Sequence, residues 1–390
     1  MRAPEPSPTA RPLTLLLVAG EASGDSHGAE LIQALKEQYP RVRIIGVGGP
    51  RMAAAGQVQL FDLAAHAVLG LTEVLKHYFK FRRFFYQVLD LAKRERPDAV
   101  VLIDYPGFNL RLAAKLRKEL RGSRTIFYIS PQVWAWKAGR VKTMQRDIDL
   151  LLTILPFEKP WFAKVAPNFN VQWVGHPLLD RIRRVEGVEP DPNCVALLPG
   201  SRRTEVEAHL PALWEAARMM GREKPGLKVI LLSPNEAIQR YSLDLLGHLA
   251  APSFAFEYNI GYAITHLSRS ALALVASGTA SLECALVGIP QIVVYRVNPI
   301  TWFVGSRLVK LKYLSIINVM ANEAVVPEFL QDNLDPAAVA REALELLGNT
   351  QRRETMKRLV AQVVSTLGGP GASKRAAEAI ILESAFANVV

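Results

Sequence analysis

The sequence has only two cysteines, Cys194 and Cys284, in 390 residues. That excludes a disulfide scaffold and a zinc ribbon, and it fits a reducing compartment. A membrane-spanning helix needs about 18–20 apolar residues in a row. The best candidates, Ser270–Leu282 and Cys284–Tyr295, are separated by Glu283 and carry Gly and Pro. His-Glu-x-x-His, Cys-x-x-Cys, the Gly-x-Gly-x-x-Gly fingerprint, a Walker A loop and Gly-x-Ser-x-Gly are all missing. Those absences argue against zinc-hydrolase, dinucleotide, P-loop and nucleophile-elbow chemistry. Negative charge is also scarce: 47 Lys and Arg face 36 Asp and Glu, a net charge of +11. Such an excess predicts an anionic partner, whether nucleic acid, a phosphorylated substrate or an acidic membrane.

What is there is alternation. Short apolar runs recur at Leu13–Ala19, Val42–Val47, Val100–Ile103, Thr125–Ile129, Leu150–Ile154, Val171–Val174, Val195–Leu198, Lys228–Leu232, Leu272–Ala276 and Gln291–Val294. Amphipathic stretches separate most of them, among them Gly28–Gln38, Leu110–Leu120, Glu205–Met220 and Ser281–Val287. Near-continuous apolar strands alternating with helices predict buried parallel sheets and an α/β architecture. The runs are too many for one sheet, so two doubly wound domains are expected. Residues 1–11 read as a loose tail, not a signal peptide. The charged, then proline-rich segment His176–Asp191 marks the break. The domains are therefore 12–176 and 177–367, with a last helical segment, 368–390. Ser373 is its expected N-cap.

In open α/β sheets ligands bind beyond the carboxyl ends of strands, so the loops there carry the chemistry. Gly20-Glu21-Ala22-Ser23-Gly24-Asp25 lets backbone approach a ligand closely and reads as an acceptor-binding loop or as a capped turn. Asp104 ends a buried strand, where partial desolvation raises a carboxylate's basicity. It reads as a catalytic or substrate-binding residue, with Asn109 as the cap of the following helix. Gly200, Ser201 and Arg202 combine backbone N–H groups with a guanidinium, which suits a diphosphate. Ser277, Gly278, Thr279 and Ala280 lead into a helix N-terminus that suits the same ligand. Glu283, one turn deeper in an apolar stretch, needs a partner such as vicinal ribose hydroxyls or a nearby base. Among the seven histidines, His176 stands out, after a strand at the presumed domain cleft. Asp147-Ile148-Asp149 matches a metal-binding Asp-x-Asp only formally and reads as a charged strand entrance.

Two segments read as membrane-facing. From Leu71 to Leu91 the apolar residues Leu71, Val74, Leu75, Tyr78, Phe81, Phe85 and Val88 keep helical spacing. Phe79, Phe84 and Tyr86 widen that stripe, and Lys76, Lys80, Arg82 and Arg83 are interleaved. Ile300–Lys312 places Trp302 and Phe303 among basic residues. Such mixtures suit an anionic membrane interface. Single-stranded nucleic acid would also accept them, but no RNA-binding fingerprint is present.

The segments Val18–Asp25, Gly48–Met52, Ile129–Trp136, Leu155–Glu158, Val174–Pro177, Leu197–Arg202 and Ala276–Glu283 together resemble the lipid-A-disaccharide synthase family from about Leu13 to Phe386. The Gly-Glu-Ala-Ser-Gly-Asp loop and the Trp-Ala-Trp segment carry most of that specificity. The resemblance implies a GT-B-type fold: two Rossmann-like domains facing a cleft, with the last helix returning to the first. It implies inverting transfer from UDP-2,3-diacylglucosamine to 2,3-diacylglucosamine 1-phosphate, giving a β-1,6-linked disaccharide phosphate and UDP. No cofactor or metal is implied. Asp104 would be the general base, and Arg202, Glu283 and Asn318 would contact the nucleotide. Glu21, Ser23, Gly24, Asp25, Tyr105 and His176 would line the acceptor side. The enzyme would be a cytoplasmic protein, peripheral on the inner membrane of a Gram-negative bacterium, and a homodimer is the family expectation. Some members carry a second Asp three positions after the catalytic one, where this chain has Gly107. A UDP-N-acetylglucosamine epimerase, a peptidoglycan-precursor glycosyltransferase and a non-catalytic binding module are the alternatives.

Overall fold

A computed structural model of the chain describes residues 12–63, 78–136, 138–182, 185, 187–261, 264–299, 302–303, 307 and 311–385. The expected tail at 1–11 and the first part of the aromatic segment, residues 71–77, lie outside the described residues, as do most of 300–310. The chain divides into two units. One takes in Met1–Asp180 together with Leu367–Val390, the other Arg181–Thr366.

Among the described residues the first unit carries seven parallel strands: β1 (Thr14–Ala19), β2 (Arg43–Gly48), β3 (Val58–Asp62), β4 (Ala99–Ile103), β5 (Arg124–Tyr128), β6 (Leu150–Thr153) and β7 (Val171–Trp173). Their spatial order is β3-β2-β1-β4-β5-β6-β7. The second unit carries β8 (Asp191–Leu198), β9 (Lys228–Ser233), β10 (Ala255–Ile260), β11 (Ser270–Ala276), β12 (Gln291–Tyr295) and β13 (Glu328–Leu330), in the order β10-β9-β8-β11-β12-β13. Both orders run outward from the first strand, return and continue on its other side. The resulting switch points lie between β1 and β4 and between β8 and β11.

The strands β1 and β4 are buried on both faces, which is why they read as unbroken apolar runs. In the first unit one face is covered by the helix Ala22–Gln38 and by the last helix, Ala372–Ala385, whose Ala376, Ala377 and Ile380 are fully buried. The other face packs under Tyr78–Glu95 and Pro106–Glu119.

Three strands escaped the sequence pattern: β3, β10 and β13. All are edge strands, and none carries a buried run. A strand paired on one side and half-solvated mixes polar with apolar residues, and that mixture gives no continuous signal. Two expected caps are also corrected. Asn109 lies inside the helix Pro106–Glu119, not ahead of it. Ser373 lies in the first turn of Ala372–Ala385, whose capping acceptor is remote in sequence. The Asp180 carboxylate receives the N–H groups of Gly371, Ala372 (3.2 Å) and Ser373 (3.0 Å).

Candidate functional site

The expected site loops fall at the two switch points. In the first unit the Gly20–Asp25 loop follows β1 and Asp104 follows β4. Asp104 and Tyr105 have φ of 49° and 50°, consecutive left-handed conformations in non-glycine residues. Such geometry costs about 1–3 kcal/mol per residue and persists only when the surroundings impose it. Here the Asp104 N–H donates to the Tyr128 carbonyl at 2.9 Å. The Asn109 amide, fully buried, donates to the carbonyls of Ile103 (3.2 Å) and Asp104 (2.7 Å). Asn109 thus pins the turn that presents Asp104. Tyr105 is the N-cap of the next helix, and its ring stacks on Phe108.

Asp25 is not available to a substrate. It is 3% exposed, and its carboxylate accepts N–H bonds from Gly49 (2.9 Å), Arg51 (3.1 Å) and Met52 (2.9 Å). It caps the short helix Pro50–Ala54 from outside. A Cβ on Gly49 would lie 2.6 Å from the Asp25 carboxyl carbon, so glycine is required there. The expectation that Asp25 contacts the acceptor is therefore corrected: it is buried, and its carboxylate accepts three N–H bonds that hold two loops together. Gly24 is buried beside it. Glu21, the N-cap of Ala22–Gln38, and Ser23 in its first turn remain partly exposed.

Glu158 had no assigned role from sequence. It is 1% exposed and accepts from the Trp134 indole N–H (3.1 Å) and the N–H groups of Ile154 (3.1 Å) and Leu155 (2.9 Å). Burial pushes its pKa up to about 7, against those hydrogen bonds. It ties the Trp-Ala-Trp segment after β5 to the loop after β6. Its signal was a lone carboxylate closing the apolar run Leu150–Phe157. His176 is buried, and its Nδ1 accepts from Leu178 N–H at 3.2 Å. Asp149 receives Thr125 N–H at 2.8 Å and pairs with Arg117 at 3.1 Å, which makes it a strand-entrance anchor.

In the second unit Gly200 has φ 135°, and a Cβ there would lie 2.5 Å from that of Glu205. Glu205 receives the Ser201 N–H (2.7 Å) and the Arg202 N–H (3.3 Å), and pairs with the Arg202 guanidinium (3.1 Å). The loop after β8 is therefore held in shape with Arg202 exposed at its tip. His209 lies beneath it. Its Nε2 accepts from Arg296 N–H at 2.9 Å, so Nδ1 carries the proton and donates to the Pro199 carbonyl at 2.8 Å. Burial lowers its pKa and keeps it neutral.

After β11, Ser277 donates to the Leu314 carbonyl at 3.1 Å, and Gly278 caps the helix Thr279–Val287. Gly278 and Thr279 are exposed, and Ala280 is partly so. Glu283, 5% exposed, accepts from Arg181 Nη2 at 3.2 Å on one oxygen, Oε1. Its Oε2 is buried and has no hydrogen-bond partner among the described residues. Desolvation raises its pKa to about 7, opposed by Arg181.

Asn318, the other residue expected at the nucleotide, is built into the framework through its side chain. Its amide donates to the Val326 carbonyl and to Glu328 (both 2.8 Å), and its oxygen accepts from Val325 (2.8 Å) and Val326 (2.9 Å). Two donors and two lone pairs are all used. The side chain braces the segment leading to β13.

The aromatic helix is divided between two environments. Phe84 is 9% exposed and stacks on Phe61 at 4.7 Å, while Phe81 and Phe85 pack against the core. Phe84 is thereby corrected from a membrane contact to a packing residue, while Phe81 and Phe85 stay half-buried. Phe79, Arg82 and Arg83 face outward, as does Phe303, whose ring lies 3.4 Å from the Arg307 guanidinium carbon. Trp302 is partly buried, and the side chain of Tyr78 lies outside the described residues. No helix among the described residues is long and apolar enough to cross a membrane.

Two doubly wound parallel sheets, each with loops at its switch point, give the α/β architecture of the GT-B class. Solved structures agree on that fold. The UDP-GlcNAc 2-epimerase from Neisseria meningitidis bound to UDP-GlcNAc superimposes with a TM-score of 0.65 at 12% identity, over 95% of this chain and all of that one (100%). MurG from Acinetobacter baumannii gives 0.56 at 12% identity, covering 95% and 100%. The chain belongs to the lipid-A-disaccharide synthetase family, whose profile matches residues 15–381, and it is accordingly a glycosyltransferase. The lipid-A-disaccharide synthases of Myxococcus xanthus and Nitrosococcus oceani are 38% and 37% identical to it. They cover 95% and 93% of this chain and 97% and 94% of their own lengths.

Proposed function

We propose that the chain transfers 2,3-diacylglucosamine from its UDP derivative to 2,3-diacylglucosamine 1-phosphate. Asp104 is the general base. It takes the proton of the acceptor 6-hydroxyl while that oxygen attacks the anomeric carbon. The bond to UDP breaks, the configuration inverts, and UDP carries away its negative charge. One displacement needs one base and no enzyme nucleophile. The observation that supports this most is the strained Asp104-Tyr105 turn at the first switch point, held by Asn109. Strain of this kind is retained where it presents a working group.

On the donor side, Gly200, Ser201 and Arg202, with the exposed start of Thr279–Val287, suit a diphosphate through N–H groups and a guanidinium. The unspent Oε2 of Glu283 suits ribose hydroxyls. Glu21, Ser23, Tyr105 and His176 form the acceptor side. Phe79, Arg82, Arg83 and Phe303 rest on an anionic leaflet, so the enzyme works as a peripheral protein on lipid-embedded substrates.

The test is a chelator-containing, detergent-dispersed assay with both diacylglucosamine substrates, following the disaccharide by mass spectrometry. Wild type should turn over, and Asp104→Asn should lose about 10²–10⁴-fold in kcat, the scale of general-base catalysis. Equal turnover in the variant would move the base elsewhere. No product with the folded wild type would point to another nucleotide-sugar reaction of this fold.

A further inference from the structure

Glu283 presents an unusual arrangement for a binding carboxylate. One oxygen is held by Arg181 at 3.2 Å, and the other is buried without a partner among the described residues. Arg181 comes from outside the Thr279–Val287 helix. It ends the short helix Leu178–Arg181, and its side chain is 36% exposed. An ionised carboxylate enclosed in an apolar helix is costly unless a counter-ion faces it.

We infer that Arg181 is a positioning residue: by holding Oε1 of Glu283 it turns the carboxylate so that Oε2 is left to accept from the ribose of a bound nucleotide, and its charge opposes the protonation that burial favours. This rests on the reading of Glu283 as the ribose acceptor and adds what makes that residue able to accept. Among the described residues Arg181 is the charged group that acts on Glu283. The Cys284 thiol next to it is uncharged, since burial drives its pKa well above the usual range. The helices Ile264–Arg269, Ile316–Ala321 and Thr350–Ser365 and the strands β11 and β12, which pack on the same helix, bring no further charge to bear on it. A protonated Glu283 has one good acceptor oxygen in place of two and competes with the ribose as a donor. The pairing with Arg181 therefore sets the pH above which the ribose is well bound.

The experiment compares UDP with 2′-deoxy-UDP by calorimetry across pH. Both nucleotides carry the same phosphates, so the ratio of their dissociation constants isolates the ribose contact. Wild type should prefer UDP about tenfold at pH about 8, the size of a hydrogen bond to a charged acceptor. In Arg181→Met that preference should fall to about twofold and return only about 1–3 pH units higher, the range over which a close counter-ion moves a carboxyl group. Arg181→Lys keeps the charge and should keep the wild-type curve. Arg181→Gln keeps a donor without the charge and should follow the methionine variant, standing in for it if that variant does not fold.

A preference curve for the uncharged variants that superimposes on wild type overturns the inference. So does a rise in preference, which would make Arg181 a competitor of the ribose. Glu283→Gln keeps the underlying reading separate. If it still distinguishes the two nucleotides as wild type does, the ribose contact itself fails. If it loses the distinction at every pH while Arg181→Met matches wild type, only the role of Arg181 fails.

Discussion

Asp25 and Glu283 each stand just inside the helix that follows a strand at a switch point, and each is buried. They differ in how their oxygens are used. Asp25 faces three backbone N–H groups and has become part of the framework. Glu283 has one cation and one idle oxygen. A carboxylate held by three N–H groups of its own chain builds structure. One left half-satisfied at about the same depth is poised for a ligand, since an idle buried oxygen carries a cost that binding removes.

The sharpest way to break this comparison is to exchange the charge at both places. Asp25→Asn should destabilise the fold by about 3 kcal/mol or more, because an NH₂ group or a poorer acceptor would then face bonds made to a charged one. Denaturant unfolding measures it, and UDP affinity in the folded fraction should stay unchanged. Glu283→Gln should do the reverse, weakening UDP by about tenfold with little loss of stability.

The pH dependence sharpens the same contrast. Burial raises Glu283 and Glu158 from their ordinary value of 4.5 to about 7. Between those values the folded chain binds protons that the unfolded chain has released. Stability should therefore fall as pH rises from 4.5 to about 7 and level off above. The two groups together are worth a few kcal/mol, since each tenfold difference in proton affinity between the folded and unfolded chain corresponds to about 1.4 kcal/mol. Glu158→Gln and Glu283→Gln should each flatten part of that slope in unfolding curves.

Two glycines give the smaller effects. Gly200→Ala should cost about 1–3 kcal/mol, because the left-handed φ and the collision with Glu205 both oppose a Cβ. Gly107→Ala meets open space within a helix and should be stabilising by about 0.5–1 kcal/mol, with kcat unchanged. Thermal melting and the disaccharide assay measure both. A loss of turnover in Gly107→Ala would reveal a steric demand around Asp104.

The sheets' central strands were legible because burial on both faces leaves an unbroken apolar run. The edge strands β3, β10 and β13 were not, because half of each one's surroundings is solvent. The site loops were legible as Gly- and Ser-rich punctuation after those central strands. What a sequence does not reveal is how hydrogen-bonding capacity is spent. Nothing in the sequence pairs Asn318 and Asp25 with their partners Val325, Val326, Glu328, Gly49 and Met52. Glu158 was overlooked for the converse reason, since its partners come from Trp134 and from backbone that only the fold brings near. The aromatic helix misled in a third way. Its spacing identified a helix, but Phe61, the residue that covers Phe84, belongs to a strand the pattern did not show.

The Asp180 cap bears on how the chain comes into being. The first unit is begun by β1 and closed by Ala372–Ala385, and the whole second unit is made in between. During synthesis the face of the first sheet that Ala376, Ala377 and Ile380 will cover must wait, bare, while the second unit leaves the ribosome. Asp180 is made before the second unit, and the three N–H groups its carboxylate accepts are made after it. The first unit to start is the last to finish.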